Sequence, residues 1–146
     1  YLRLARCKPR KQQISDMLQR DYIQRLIREF MAALERMLEK NEVVLRREEI
    51  RKMYDQYVGP YALYHDATID EVMQALQSFD ENERLDRMGM LAELYYAEAD
   101  TTGDPSERNF LLEKAFNLFD FIDYHGQVFS LNRQEKMADI QRRLKG

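Results

Sequence analysis

The chain has no tryptophan, one cysteine, two histidines, three prolines and five glycines among its 146 residues. Each scarcity excludes something. A single thiol, Cys7, can form neither an intrachain disulfide nor a cysteine zinc cluster, and it suits a reducing cytoplasm. The residues three before His65 and His125 are Ala62 and Ile122, so no Glu-x-x-His pair exists for a helical dimetal site. No apolar run approaches the roughly 18 to 20 residues that cross a bilayer, and the first residues lack a secretion-signal pattern. No membrane partner is therefore expected. Alternating strand patterns are nearly missing, and Val43–Leu45 is too short to demand a sheet. Thr101–Asp104 has the spacing of neither a calcium nor a phosphate loop. Ser78 and Ser130 have no indicated activating base. These absences predict no catalytic set, no cofactor and no metal.

Hydrophobic residues at 45 % and aromatics at 11 % are enough for one core, and the length fits one domain. Charge is unevenly spread. Arg3, Arg6, Lys8, Arg10 and Lys11 against Asp16 give residues 1–16 a charge of +4, so the remainder carries −7 within a total of −3. Residues 1–16 read as a basic N-terminal arm, mobile or foreign to the native domain, with Met17 as a candidate natural start. Residues 17–146 read as a single all-helical domain. An acidic body lacks the basic face that nucleic acid needs. The arm touching phosphate is the one route left to weak nucleic-acid association.

Helical spacing runs through most of the domain. Ile23, Leu26, Ile27, Phe30, Leu34, Met37 and Leu38 predict a one-sided helix from Asp21, or from as early as Ser15, to Asn41. Arg46–Tyr57 is a second helix, stopped by Gly59 and Pro60. Tyr61–Asp66 is a turn or helical loop. Thr68 and Glu71 have capping-box spacing and open a third helix. Glu83–Ala99 is a fourth, with Gly89 inside it, where close approach of another helix or a bend would account for the glycine. Asp104 as cap and Pro105 at the first position open a fifth, apolar over most of its circumference and ending at Gly126. The short link predicts antiparallel packing of the fourth and fifth. Val128 and Phe129 are expected to pin the next connection to the core, and Leu131–Leu144 makes a thinner final helix. The fold class is all-α, a compact irregular bundle of five or six helices or a stack of helical hairpins.

The stretch Leu91–Ile122, LAELYYAEADTTGDPSERNFLLEKAFNLFDFI, resembles one degenerate tetratricopeptide repeat. In that family a small residue and an aromatic on one helix pack against an alanine on the next, roles that fall to Ala92, Tyr95 and Ala115. The repeat's usual final proline is missing, and the resemblance covers about one repeat. The segment Asp21–Leu38, DYIQRLIREFMAALERML, together with the chain length and the later hairpin, resembles a family of small bacterial helical proteins with no assigned chemistry. That resemblance implies a cytoplasmic bacterial protein and adds no active site.

Nine tyrosines are the most suggestive excess. Aromatic rings with polar tips suit interfaces as well as cores. Tyr57, Tyr61, Tyr64, Tyr95 and Tyr96 are the candidate interaction surface, with ordinary packing the alternative. Eight methionines would serve an adaptable groove or plain core filling. His65, in the YALYHD turn, is the candidate ligand site because imidazole titrates near neutrality. His125 reads as a terminal polar residue. The leading functional expectation is a non-catalytic protein-interaction or scaffold domain. It would bury a protein or peptide partner, with homodimerisation through the broad apolar stripe of its first helix as a related alternative. A small-ligand binder or enzyme at His65 is the alternative.

Overall fold

The structure, a computed structural model, describes residues 10–146. Among them seven helices and no strand follow in order: α1 (Arg10–Leu38), α2 (Val43–Tyr57), α3 (Tyr61–Asp66), α4 (Ile69–Leu76), α5 (Glu81–Ala99), α6 (Pro105–His125) and α7 (Leu131–Lys145). The all-α bundle expected from periodicity is what the chain forms. The extra helix is α3, where Pro60 fixes the entry and the Tyr61 amide donates to Asp55 Oδ1 at 2.9 Å.

The helix α1 begins well before Asp21. Arg10–Arg20 contains no glycine or proline and is mostly Gln, Lys, Arg, Leu and Met, which favour helix. Asp21 is therefore interior and does not cap. The boundary expected between residues 16 and 17 falls inside α1, and residues 1–9 of the expected arm lie outside the described residues. Ile23, Phe30, Leu34 and Met37 are buried, whereas Ile14, Met17, Leu18 and Tyr22 nearer the start are exposed. Helix α2 starts three residues earlier than expected. Its Arg46 donates to the carbonyls of Lys40 at 2.6 Å and Leu38 at 3.0 Å, which ties down the end of α1.

The central pair is α5 and α6, joined by residues 100–104 and packed over most of their lengths. Gly89 meets Ile122, and the Lys114 ammonium lies 4.4 Å from the Tyr95 ring centre, so the two helices run antiparallel. Asp104 caps α6 by accepting from the Ser106 amide at 3.1 Å, with Pro105 behind it. Helix α7 packs on α6, α2 and α1 pack on α5, and the capping box of Thr68 and Glu71 starts α4 beside α5. One contiguous core results, with Phe30, Ile50, Tyr54, Leu91, Tyr95 and Leu111 wholly enclosed. Burial of each such side chain stabilises by about 1.5–3 kcal/mol.

Two local expectations are corrected. A Cβ at Gly89 would meet only Ile122 Cδ1 at 3.8 Å, an ordinary contact, so no close helix approach requires glycine there. At Gly126 a Cβ would stand 2.6 Å from the Ile122 carbonyl oxygen, so here a side chain does not fit. Val128 and Phe129 do not pin the connection after α6, since they are 77 % and 73 % exposed. Polar groups hold that connection instead. Arg133 donates to the Val128 carbonyl at 2.9 Å and to Asp123 at 3.0 Å, and Ser130 caps α7.

Candidate functional site

Helical spacing brings several charged side chains to one place. Arg47, Arg51 and Tyr54 stand four and three residues apart on α2, so they share a face. Tyr61 and His65 are four apart on α3. Glu98 stands near the end of α5, three residues after buried Tyr95, and Glu107 lies in the first turn of α6. The link after α5 adds Thr101 and Thr102.

Glu98 is the centre. It is a carboxylate in the core, only 2 % exposed. Its Oε1 accepts from the Tyr54 hydroxyl at 2.7 Å, and its Oε2 accepts from the Tyr61 hydroxyl in a short bond. His65 Nδ1 lies 3.0 Å from the same Oε2 and 3.0 Å from the Tyr61 oxygen. Burial pushes the Glu98 carboxyl up, but the bonds from His65, Tyr61 and Tyr54 outweigh it and hold the group below the ordinary carboxylate value. The hydrogen bond to Glu98 raises His65 above the usual imidazole value, against the opposing effect of burial. Burial, followed by the charge of Glu98, raises Tyr54 well above a free phenol.

Proton accounting orients the imidazole. The Tyr61 hydroxyl has one proton, and Glu98 takes it. Nδ1 must then carry its own proton toward Glu98 and Tyr61. Nε2 is left on the other side, 3.9 Å from Glu107 Oε1. The ring is stacked on Tyr61 with centres 5.0 Å apart, and the Arg51 guanidinium lies 5.0 Å from the Tyr61 ring centre. A cleft of about 260 Å³ opens here, walled by Arg47 and Arg51 on one side and by His65, Glu98 and Glu107 on the other. Arg47 also donates to the Thr101 carbonyl in a short bond, which fixes its stem.

Lys114 holds the floor of α3. It is 2 % exposed, and its ammonium donates to the carbonyls of Tyr64 at 3.0 Å, His65 at 2.8 Å and Ala67 at 3.0 Å. The rings of Phe110 and Tyr95 flank it, 4.2 and 4.4 Å away. Burial brings its amine down to about 8 against the pull of Glu98 and Asp66. A cation at the carbonyl end of a short helix fixes that end, and with it His65.

The five tyrosines named from sequence do not form one exposed face. Tyr57, Tyr64 and Tyr95 are core residues, because their rings fill the bundle. The Tyr95 hydroxyl reaches the Tyr64 carbonyl at 2.5 Å. Tyr61 and Tyr96 are half-buried on different sides. Tyr61 joins the cleft, while Tyr96 donates to Asp139 on α7 at 2.5 Å. His65 is brought into a polar cleft. His125 is exposed and lies against Phe121. The basic residues Arg3, Arg6 and Lys8 lie outside the described residues, and Arg10 and Lys11 are exposed on the first described turn of α1. No helix of the described residues is long and apolar enough to cross a membrane. Comparison with family descriptions, curated proteins and solved structures finds no match to the chain.

Proposed function

We propose that the domain binds a small ligand carrying an oxyanion group in the cleft beside His65. The observation that supports this reading is the fixed imidazole: Glu98 and Tyr61 occupy Nδ1, and Nε2 is left beside the cleft. Arg47 and Arg51 supply guanidinium donors across the same opening, groups suited to carboxylate or phosphate. A volume of about 260 Å³ suits a ligand of that size rather than a large cofactor. Inorganic phosphate is a direct probe. Titrated into metal-free protein, it is expected to move the ring resonances of His65 saturably while leaving those of His125 still. Arg51 is exposed, so Arg51→Gln is expected to fold and to weaken the response. Equal movement of both histidines, or an unchanged curve in R51Q, refutes the reading.

A second reading is self-association through α1, and one observation favours it. Ile14, Leu18 and Tyr22 recur every four residues with Met17 beside them, and all are at least 49 % exposed. Such a stripe is the usual form of a helix-pairing face. The tetratricopeptide-like reading of Leu91–Ile122 belongs with this interaction role, its packing residues Ala92, Tyr95 and Ala115 being buried. Sedimentation at micromolar concentration is expected to give a dimer that Leu18→Glu returns to monomer. A wild-type monomer under those conditions counts against it.

A further inference from the structure

Deepening the ligand reading, and resting on it, we infer that the same cleft takes a divalent cation of the zinc class between His65, Glu98 and Glu107. Three helices, α3, α5 and α6, each supply one donor, and one ligand atom from each residue lies within 4.8 Å of the others. His65 Nδ1 is 3.0 Å from Glu98 Oε2, and Nε2 is 3.9 Å from Glu107 Oε1. Zinc holds nitrogen and carboxylate ligands at roughly 2.0–2.2 Å, which sets neighbouring donors about 3.3 Å apart. One ion takes a single ring nitrogen, and the three donor atoms lie within 4.8 Å of one another, so the ring and Glu107 must move by up to about 1.5 Å to reach that spacing. One imidazole with two carboxylates suits zinc better than magnesium or calcium, which take oxygen donors and more of them.

Charge and access agree with this assignment. Two carboxylates balance a dication. The Glu107 carboxylate accepts no hydrogen bond among the described residues and is part-exposed at 38 %, so it can turn toward the ion. Glu98 stays anchored by Tyr54 through its other oxygen. Three protein donors leave a fourth position of a tetrahedral shell. Arg47 and Arg51 line the same cleft, so the oxyanion proposed above would complete the shell and meet their positive charge.

The test uses the chain with Cys7→Ser, which removes the competing thiol. Calorimetric titration with zinc is expected to show one ion per chain with micromolar affinity. Cobalt is expected to give the visible absorption of a four-coordinate ion. Glu107→Gln, at a part-exposed site, should keep the far-ultraviolet dichroism and lose at least tenfold in zinc affinity. His65→Asn should do the same. No zinc uptake, or equal uptake by parent and E107Q, overturns the inference. Phosphate displacement of the His65 resonances without zinc uptake overturns the cation alone. Zinc uptake without any phosphate response supports the cation and overturns the oxyanion reading.

Discussion

Replacing Lys114 with methionine is expected to lower the unfolding free energy by roughly 2–4 kcal/mol, although methionine matches its length and prefers a core. The ammonium is the partner of three carbonyls at the end of α3, those of Tyr64 and Ala67 buried and that of His65 part-buried. The Tyr64 carbonyl keeps the Tyr95 hydroxyl after the change, whereas the contacts to His65 and Ala67 are lost outright. Each orphaned carbonyl costs about 1–3 kcal/mol, and the two aromatic contacts are worth about 0.5–2 kcal/mol each. Methionine recovers part of this by removing a charge from the interior, which is why the net loss is not larger. Urea denaturation should record it as a midpoint lowered by about 1–2 M, at a slope of about 1–3 kcal/mol per molar. Exchange of the Ala67 amide, bonded to the Leu63 carbonyl at 3.1 Å, should quicken beyond the global change. The pH dependence has a definite sign. The amine of Lys114 lies at about 8 in the fold against 10.5 for the free side chain, so the folded state holds fewer protons in that window. Wild type should therefore gain on K114M as pH rises from 8 toward 10.5. An unchanged midpoint would mean that water reaches those carbonyls.

The bundle was legible because its evidence is local. The Thr68–Glu71 box, the Asp104 cap before Pro105 and the 3.6-residue stripes each lie within one turn or one helix. Helix starts were less legible where no breaker marks them, as at Val43. The cleft was legible only at His65 and Tyr61. Its other members come from α2, α5 and α6, and nothing local joins Arg51 to Glu98. One signal was available. Glu98 follows Leu91 by seven residues and Tyr95 by three, and Lys114 stands between Leu111 and Leu118, so each charge falls on a buried stripe. A charge at such a position requires partners, and the partners identify the site. The tyrosines misled for the same reason. A ring with a hydroxyl suits an interface or a core equally, and what decides between them is a carbonyl or carboxylate far away in sequence. For Tyr95 that group is the Tyr64 carbonyl, and for Tyr54 it is Glu98.

Glu98→Ala is expected to be the most damaging single change, a loss of about 3–5 kcal/mol, because it strips several buried or half-buried groups of one shared partner. Tyr54 is wholly buried and has no water to fall back on, while Tyr61 and His65 face the cleft and can rehydrate. Glu98→Gln separates charge from shape. The amide keeps one accepting oxygen but presents a donor where Tyr54 or Tyr61 also donates, so a smaller loss of about 1–3 kcal/mol is expected. Tyr54→Phe alone leaves Oε1 buried without its donor, and a cycle of Y54F with E98Q should show coupling of about 1 kcal/mol or more. In metal-free protein the pH window follows from the two shifts. His65 is raised above 6.5, so its share is fully present below that pH and is lost as pH climbs through the raised folded value. Glu98 is lowered from 4.5, so its share is present above that pH and is lost as pH falls through the folded value. The pair should contribute most between about 4.5 and 6.5, and the excess stability of wild type over His65→Asn should peak there. A flat difference across that range would mean that His65 and Glu98 do not share a proton-linked bond, and the oriented imidazole on which the ligand reading stands would be lost with it.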